Sequence, residues 1–502
     1  MADAAVQPEA LQPNRIRTGL SAALLILGLL LPWNIHFGLG IAGTLTWVLV
    51  ILVVATLLSL SALAVGESPL RMMLTAPYLV LVAAFTVFAI VMSVRCGGTG
   101  TVAPGVGPGA WSGLAGALLA AQTGTTTTDG PRSARVRRTL GWTSIALAVL
   151  ATLFNLYYRT RFVLPGIGGE AGVQNLTTAV AALLYGVVAL APVIVAGRWI
   201  VSDRPETRLA TVLLGGATLI AATLIWFLPV GRLLDAFHGI AQNTGTVSVG
   251  YDGYLAWVAV AALIGTPVVR SAWTAGSQDL WRKVTRSCLM LIAVWCGGKA
   301  VLRITDVMLT GVLSLPTPPY SATMLMLFDL LTAVLALWLF VNSRSGTAPR
   351  TVPILGILVV LTVCRVILGV ALVPRIDPLN PGTVNPVYGN HLVQQITSTF
   401  DVALCVLALA LLVAAIGVGA RPSGTAAAPR PAQAQAPVPA PPAPDGSPPS
   451  APPLPAARIA VPDPAPAEPV TRKDRAADVL AQSTQRFAAG TTYGANAPKE
   501  ES

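Results

Sequence analysis

Twelve apolar stretches, each long enough or nearly long enough to cross a bilayer, occupy residues 20 to 419. They run roughly over 20–38, 43–65, 70–94, 110–122, 140–158, 174–197, 208–229, 254–270, 284–305, 320–342, 352–373 and 391–419. Runs near ~20 residues fit helices across about 30 Å of hydrocarbon. The pattern therefore predicts an all-α polytopic membrane protein of about twelve transmembrane helices. They pair as six tandem hairpins, 20–65, 70–122, 140–197, 208–270, 284–342 and 352–419. The fourth stretch, Ala110–Gln122, is too short to span alone and follows a Gly/Pro-rich loop, Gly97–Gly109, that suits a re-entrant segment. In that alternative the count falls to eleven and the C-terminus changes side.

Several stretches are copies of one another. Read without gaps at an offset of 72, residues 296–341 and 368–413 share thirteen identities, among them Gly297/Gly369, Arg303-Ile304/Arg375-Ile376 and Phe328-Asp329/Phe400-Asp401. Leu and Val matches between membrane helices carry little information. Matched Arg and Asp carry more, because ionisable groups in hydrocarbon must be paired or wet. The repeat reaches further back: Asn175–Leu183 matches Asp329–Leu337 at six of nine positions, and Tyr251-Asp252 sits at the equivalent place in the fourth hairpin. Repetition accompanies a central site at the repeat interface in some membrane proteins and follows from plain duplication in others.

Helix rise gives each charge a depth. Asp329 lies thirteen residues before Asn342 and Arg365 thirteen after Val352, so both sit roughly 20 Å in, on neighbouring helices, which predicts an ion pair. Asp401, eighteen residues before Gly419, comes out near ~27 Å, close to the outer boundary with Arg375. Lys299 and Arg303 share one helix face a turn apart, with Asp306 beyond. The candidate substrate or charge-relay residues are thus Lys299, Arg303, Asp329, Arg365, Arg375, Asp401 and Asp252. One reading makes them an outward-facing polar vestibule with surplus cations, suited to an anionic headgroup or a proton-coupled step. The other makes them staples between hairpins, with Asn175 and Asp252 as helix N-caps.

Composition narrows the class. A mean hydropathy of +0.70, with 54% hydrophobic and 11% charged residues, excludes a soluble globular chain. The pI of 9.9 reflects basic residues scattered over loops and tail, without a base-stacking aromatic array, so nucleic acid is not an expected partner. Topology explains the charge better. With the N-terminus inside, sixteen basic residues fall on one side and seven on the other, which predicts cytoplasmic N- and C-termini. The first helix follows Arg15 and Arg17 without an A-x-A cleavage site and reads as a retained anchor after a short arm, 1–19. Five Cys without a CxxC and three widely separated His point to neither a disulfide framework nor a metal site, and no cofactor is expected.

After Arg421 the composition changes. Residues 421–470 are Pro/Ala-rich and cannot bury a core, so a disordered linker is expected. Within 471–502, Thr471 and Asp474 resemble a capping box, while Ala476, Val479, Leu480, Ser483 and Phe487 share one face before Gly490. This predicts a short amphipathic helix on a tether, with Val479, Leu480 and Phe487 as the docking face for a cytoplasmic protein.

Motifs of known membrane machinery are missing. The loop Pro32–Gly38 has no acidic residue of the kind polyprenyl-dependent glycosyltransferases use, and Gly66–Arg71 does not match the loop of major-facilitator efflux carriers. No Walker A, HExxH or GxSxG occurs in a usable context. Glu170, Asp235 and His238 are the acid/base candidates of the outer loops, and no catalytic residue is predicted. Leu31-Pro-Trp-Asn34 closing the first helix, the Gly105-Val-Gly-Pro-Gly109 loop and a Pro/Ala tail ending in Ser483-Thr-Gln-Arg-Phe487 and Thr491-Thr-Tyr-Gly494 carry a resemblance over the whole chain. The chain resembles the uncharacterised multipass inner-membrane proteins of high-GC actinobacteria, the mycobacterial type. That resemblance implies the inner membrane of a complex-envelope bacterium and no particular activity. The expected partners are the lipid bilayer, an anionic lipid or solute, and a cytoplasmic protein at the tail. Three functions remain open: a transporter or flippase-like protein for an envelope precursor or small anionic solute, a non-enzymatic membrane scaffold, and an intramembrane enzyme.

Overall fold

In lipid a backbone must satisfy its own hydrogen bonds, which leaves helices as the natural form for long apolar runs. The computed structural model describes residues 12–34, 37–39, 41, 43–65, 70–96, 106–122, 131–161, 163–227, 262, 278–312, 322–343, 348–372 and 392–419. Among the described residues the elements are all helical. They are α1 (Gln12–Leu30), α2 (Thr46–Ala64), α3 (Leu70–Cys96), α4 (Pro108–Ala121), α5 (Pro131–Thr160), α6 (Gly172–Val201), α7 (Pro205–Phe227), α8 (Gln278–Val312), α9 (Ala322–Asn342), α10 (Ala348–Leu372) and α11 (Leu392–Gly419). A short 3-10 turn, Leu164–Gly166, precedes α6. Seven of these, α2, α3, α6, α8, α9, α10 and α11, are long and apolar enough to cross a membrane.

Several helices outrun their apolar stretches. α5 begins at Pro131, so Arg132, Arg135, Arg137 and Arg138 lie inside its first turns instead of in a loop. Arginine is a good helix former whose long stem lets the charge reach water, so a polar end does not stop the helix. α1 is displaced the other way. It starts at Gln12, within the segment expected to be an arm, and stops at Leu30, because Pro32 has no N–H to give and biases Leu31 off helical geometry.

Two cores organise the bundle. In α1–α4, Trp33, Tyr78 and Trp111 are buried together with Leu25, Leu52 and Val82. Trp33 meets Phe85 edge-to-face at 5.1 Å and donates its indole N–H to the Gly28 carbonyl at 2.8 Å. The larger core draws on α5–α11, with Trp281, Trp295, Ile292, Leu358, Phe400 and Leu404 among its members. Leu24, Ala115 and Leu119, packed against Leu219 of α7, join the two.

α4 departs most from a simple span. Its 14 residues rise only about 21 Å, and almost every side chain is buried. Its start is tied to the end of α1, where the Gly109 N–H donates to the Pro32 carbonyl at 2.9 Å. Its end is tied to the start of α3, where Arg71 Nη1 donates to the Gln122 carbonyl at 3.1 Å. Between them Ser21 Oγ donates to the Gly116 carbonyl at 2.7 Å. A Cβ on Gly109 would stand 2.2 Å from the Leu31 carbonyl oxygen, and one on Gly28 2.6 Å from the Gly113 Cα. Glycine is therefore required here for close helix approach, the small-residue packing of membrane interiors.

The residues split into two units by contact, Met1–Ala427 and Ala428–Ser502. The second unit lies outside the described residues, as do Asp252 with nearly all of the eighth predicted stretch, Arg375, and the tail face Val479, Leu480 and Phe487.

Candidate functional site: a buried ion network

Four helices bring their charges to one place. α8 contributes Lys299 and Arg303, α9 Asp329, α10 Arg365 and α11 Asp401, and none is more than 4% exposed. Asp401 Oδ2 accepts from Lys299 Nζ at 2.6 Å, and its Oδ1 accepts from Arg365 Nη2 at 2.6 Å. Asp329 Oδ1 lies 2.6 Å from Arg365 Nε and 4.0 Å from Lys299 Nζ, while its Oδ2 accepts from Arg303 Nε at 2.8 Å. The Arg365 Nε contact is ionic; its N–H is not aligned for a hydrogen bond. Asp329, Arg365, Asp401 and Lys299 thus close a ring of alternating sign, and Arg303 hangs from it.

The expected pair of Arg365 with Asp329 is present at 2.6 Å, but the expected place of Asp401 is corrected. Counting residues from an apolar boundary put Asp401 near the outer surface with Arg375. Instead it shares Arg365 with Asp329. Helix ends are not membrane planes: α10 begins at Ala348, four residues before the assumed boundary, and neighbouring helices are staggered. The described charges of that group pair with one another inside the bundle. Asn175 stays apart, donating its Nδ2 to the Gly166 carbonyl at 2.9 Å. Glu170 is exposed, and Asp235 and His238 lie outside the described residues.

Two partners had no sequence signal strong enough to single them out. Trp295, one turn before Lys299, donates its indole N–H to Asp401 Oδ1 at 2.8 Å and packs edge-to-face on Phe400 at 4.7 Å. Cys296 Sγ accepts from Arg365 Nη1 at 2.9 Å. In an apolar run, a tryptophan or a cysteine reads as core. Their positions at one helical turn from Lys299 are the only clue.

Two arginines outside the network bind helix ends. Arg71 Nε donates to the Ala62 and Val65 carbonyls at 3.1 and 2.9 Å, so its guanidinium covers the C-terminal ends of both α2 and α4. A cation there also suits the negative end of the helix dipole. Arg137 plays the same part for α6, donating to the Ile200 carbonyl at 3.2 Å and to the Ser202 carbonyl. It then pairs with Asp203, which also meets Arg138 and, at 3.5 Å, Arg208. The hydrogen bonds from Arg138 and Arg137 hold the Asp203 carboxyl below the usual carboxylate range.

The whole helical region, from the third residue of α1 to the last of α11, matches one family over residues 14–419. The chain belongs to the DUF7937 family. DUF7937 is described as a domain of unknown function, and its match ends with α11, before the Pro/Ala-rich segment. No curated protein and no solved structure matches the chain. The fold and site of this DUF7937 chain therefore stand on its own geometry: among the described residues, an apolar helical bundle with an internal charge network.

Proposed function

We propose that this protein is a multi-pass transporter or flippase-like carrier of the bacterial cell envelope, moving an envelope precursor or a small anionic solute. In this reading the chain spans the inner membrane twelve times in six hairpins, with both termini cytoplasmic. The single observation that carries it is the charge balance of the network. Among the described side chains, three cations face two carboxylates in the interior of the bundle, where an uncompensated charge costs several kcal/mol. Stapling helices needs no surplus. A binding site for an anion does, and it is met at the junction of two repeated hairpins, where carriers place their sites.

A second reading has its own observation. Each of the five charges has a partner of opposite sign and is buried. A scaffold braced by a dry ion network, with its tail recruiting a cytoplasmic protein, fits that closure. Complementation of a null strain separates the two, with lipid and metabolite profiles as the readout. Lys299→Met removes the surplus and leaves two cations facing two carboxylates, which limits the damage to the fold. The carrier reading expects normal abundance with a null-like profile. A fully restored profile would overturn it. If deletion of residues 421–502 then produced the null profile, the scaffold would stand in its place.

A further inference from the structure

Arg303 differs from the other arginine of the network. Arg365 is used at both ends of its fork, with Nη1 on Cys296 and Nη2 on Asp401. Arg303 is held only through Nε, which donates to Asp329 Oδ2 at 2.8 Å. Its Nη1 and Nη2 donate no hydrogen bond among the described residues, although the side chain is only 3% exposed. Guanidinium donors without acceptors in so enclosed a side chain are costly, and the described charges around them number one positive too many. Both deficits fall on the same residue.

We propose that the Nη pair of Arg303 is the docking point for one oxyanion, a carboxylate or phosphate group carried by the transported molecule. Two coplanar oxygens match two parallel N–H groups, which gives a bidentate, charge-assisted contact. One negative charge balances the three cations against two carboxylates. Asp329 is then a positioning residue: its hold on Nε fixes the plane of the guanidinium. A neutral ligand would leave the surplus, and a cation would enlarge it. The inference rests on the carrier reading for the word transported, but the site itself does not.

Thermal unfolding of the purified full-length protein in detergent tests it. Inorganic phosphate and acetate should raise the melting midpoint along a saturable curve, while chloride at matched ionic strength should not. Micelles doped with phosphatidic acid, compared with phosphatidylcholine, distinguish a lipid headgroup from a soluble oxyanion; a rise in either arm supports the site. Arg303→Lys keeps the charge beside Asp329 but loses the fork, and should weaken the apparent affinity at least about tenfold. Arg303→Gln should flatten the curve, and Arg282→Gln, in an exposed pair with Asp279, should leave it unchanged. Equal curves for the native protein and Arg303→Lys would overturn the proposal even if Arg303→Gln failed to fold. So would the absence of a rise in both arms, or chloride matching phosphate. A saturable rise that needs Arg303, in a protein that moves no anion across a liposome, would keep the site and remove the carrier reading. Anion flux unchanged in Arg303→Lys would do the reverse.

Discussion

Asp401 is the carboxylate on which three donors from two helices converge: Lys299, Arg365 and the Trp295 indole. Its loss should therefore be worse than the loss of any one cation. Asp401→Asn leaves three positive groups facing one negative group and should cost about 3–5 kcal/mol. Lys299→Met leaves two against two and should cost less than about 2 kcal/mol. Melting midpoints in one detergent rank them, and a larger loss for Lys299→Met would refute the surplus. Asp203 makes a pH-dependent case at the protein surface. Because its folded-state carboxyl titrates below the ordinary value, its pairing stabilises the protein above that ordinary value. The contribution fades as pH falls through the lowered folded value. Asp203→Asn should thus reduce stability at neutral pH by up to about 1 kcal/mol and converge with the native protein in acid. A melting series from pH 7 down to pH 3 reads this directly. Arg365 and Asp329 were legible in the sequence because charges in an apolar run demand a partner. Trp295 was not, because nothing in composition separates a packed indole from a donating one.

At the scale of elements, glycine spacing does what apolar length cannot. Gly109, Gly113 and Gly116 present one face of α4 to α1, with Tyr78 of α3 beside Gly113. Gly109→Ala forces a Cβ against the Leu31 backbone and should destabilise by about 1–3 kcal/mol. Gly356→Ala, where nothing lies within 4 Å, should be neutral or slightly stabilising. Thermal shift of the two variants tests the seam, and equal effects would refute it. The sequence marked α4 as too short to span and left its role open. Its real distinction is burial on all sides, which hydropathy cannot report. Helix termini were also poorly legible, at Gln12 and Pro131 above all, since a helix continues past the hydrocarbon wherever its polar residues favour it. The helical class itself was plain, because runs of Leu, Val and Ala of this length have no other stable form in lipid.

For the molecule as a whole, the family match and the last described helix end together at Gly419. The topology proposed above has a direct check. Reporter fusions after Ala420 and within residues 123–131 should both give a cytoplasmic signal. An extracytoplasmic signal at Ala420 would mean an odd number of crossings, with α4 as the first segment to remove from the count. The coupling of the two repeated hairpins was only half visible beforehand. The matched Phe-Asp pairs pointed to equivalent carboxylates, but Lys299 and Arg365 have no counterparts at the same offset, Ala371 and Ala293 standing there instead. The network is thus completed by residues that the matched positions do not share.

That division sets a clock on synthesis. Lys299 and Asp401 are 102 residues apart, and at about 5–20 residues per second the ribosome needs roughly 5–20 s to deliver the second carboxylate after the first cation. Through that interval α8 waits at the membrane with two positive charges and, once α9 arrives, a single negative one. Arg365 then enlarges the imbalance before α11 relieves it. A nascent chain halted after Leu372 carries three positive charges of the network against one negative and should be extracted and degraded, whereas one completed through Gly419 should persist.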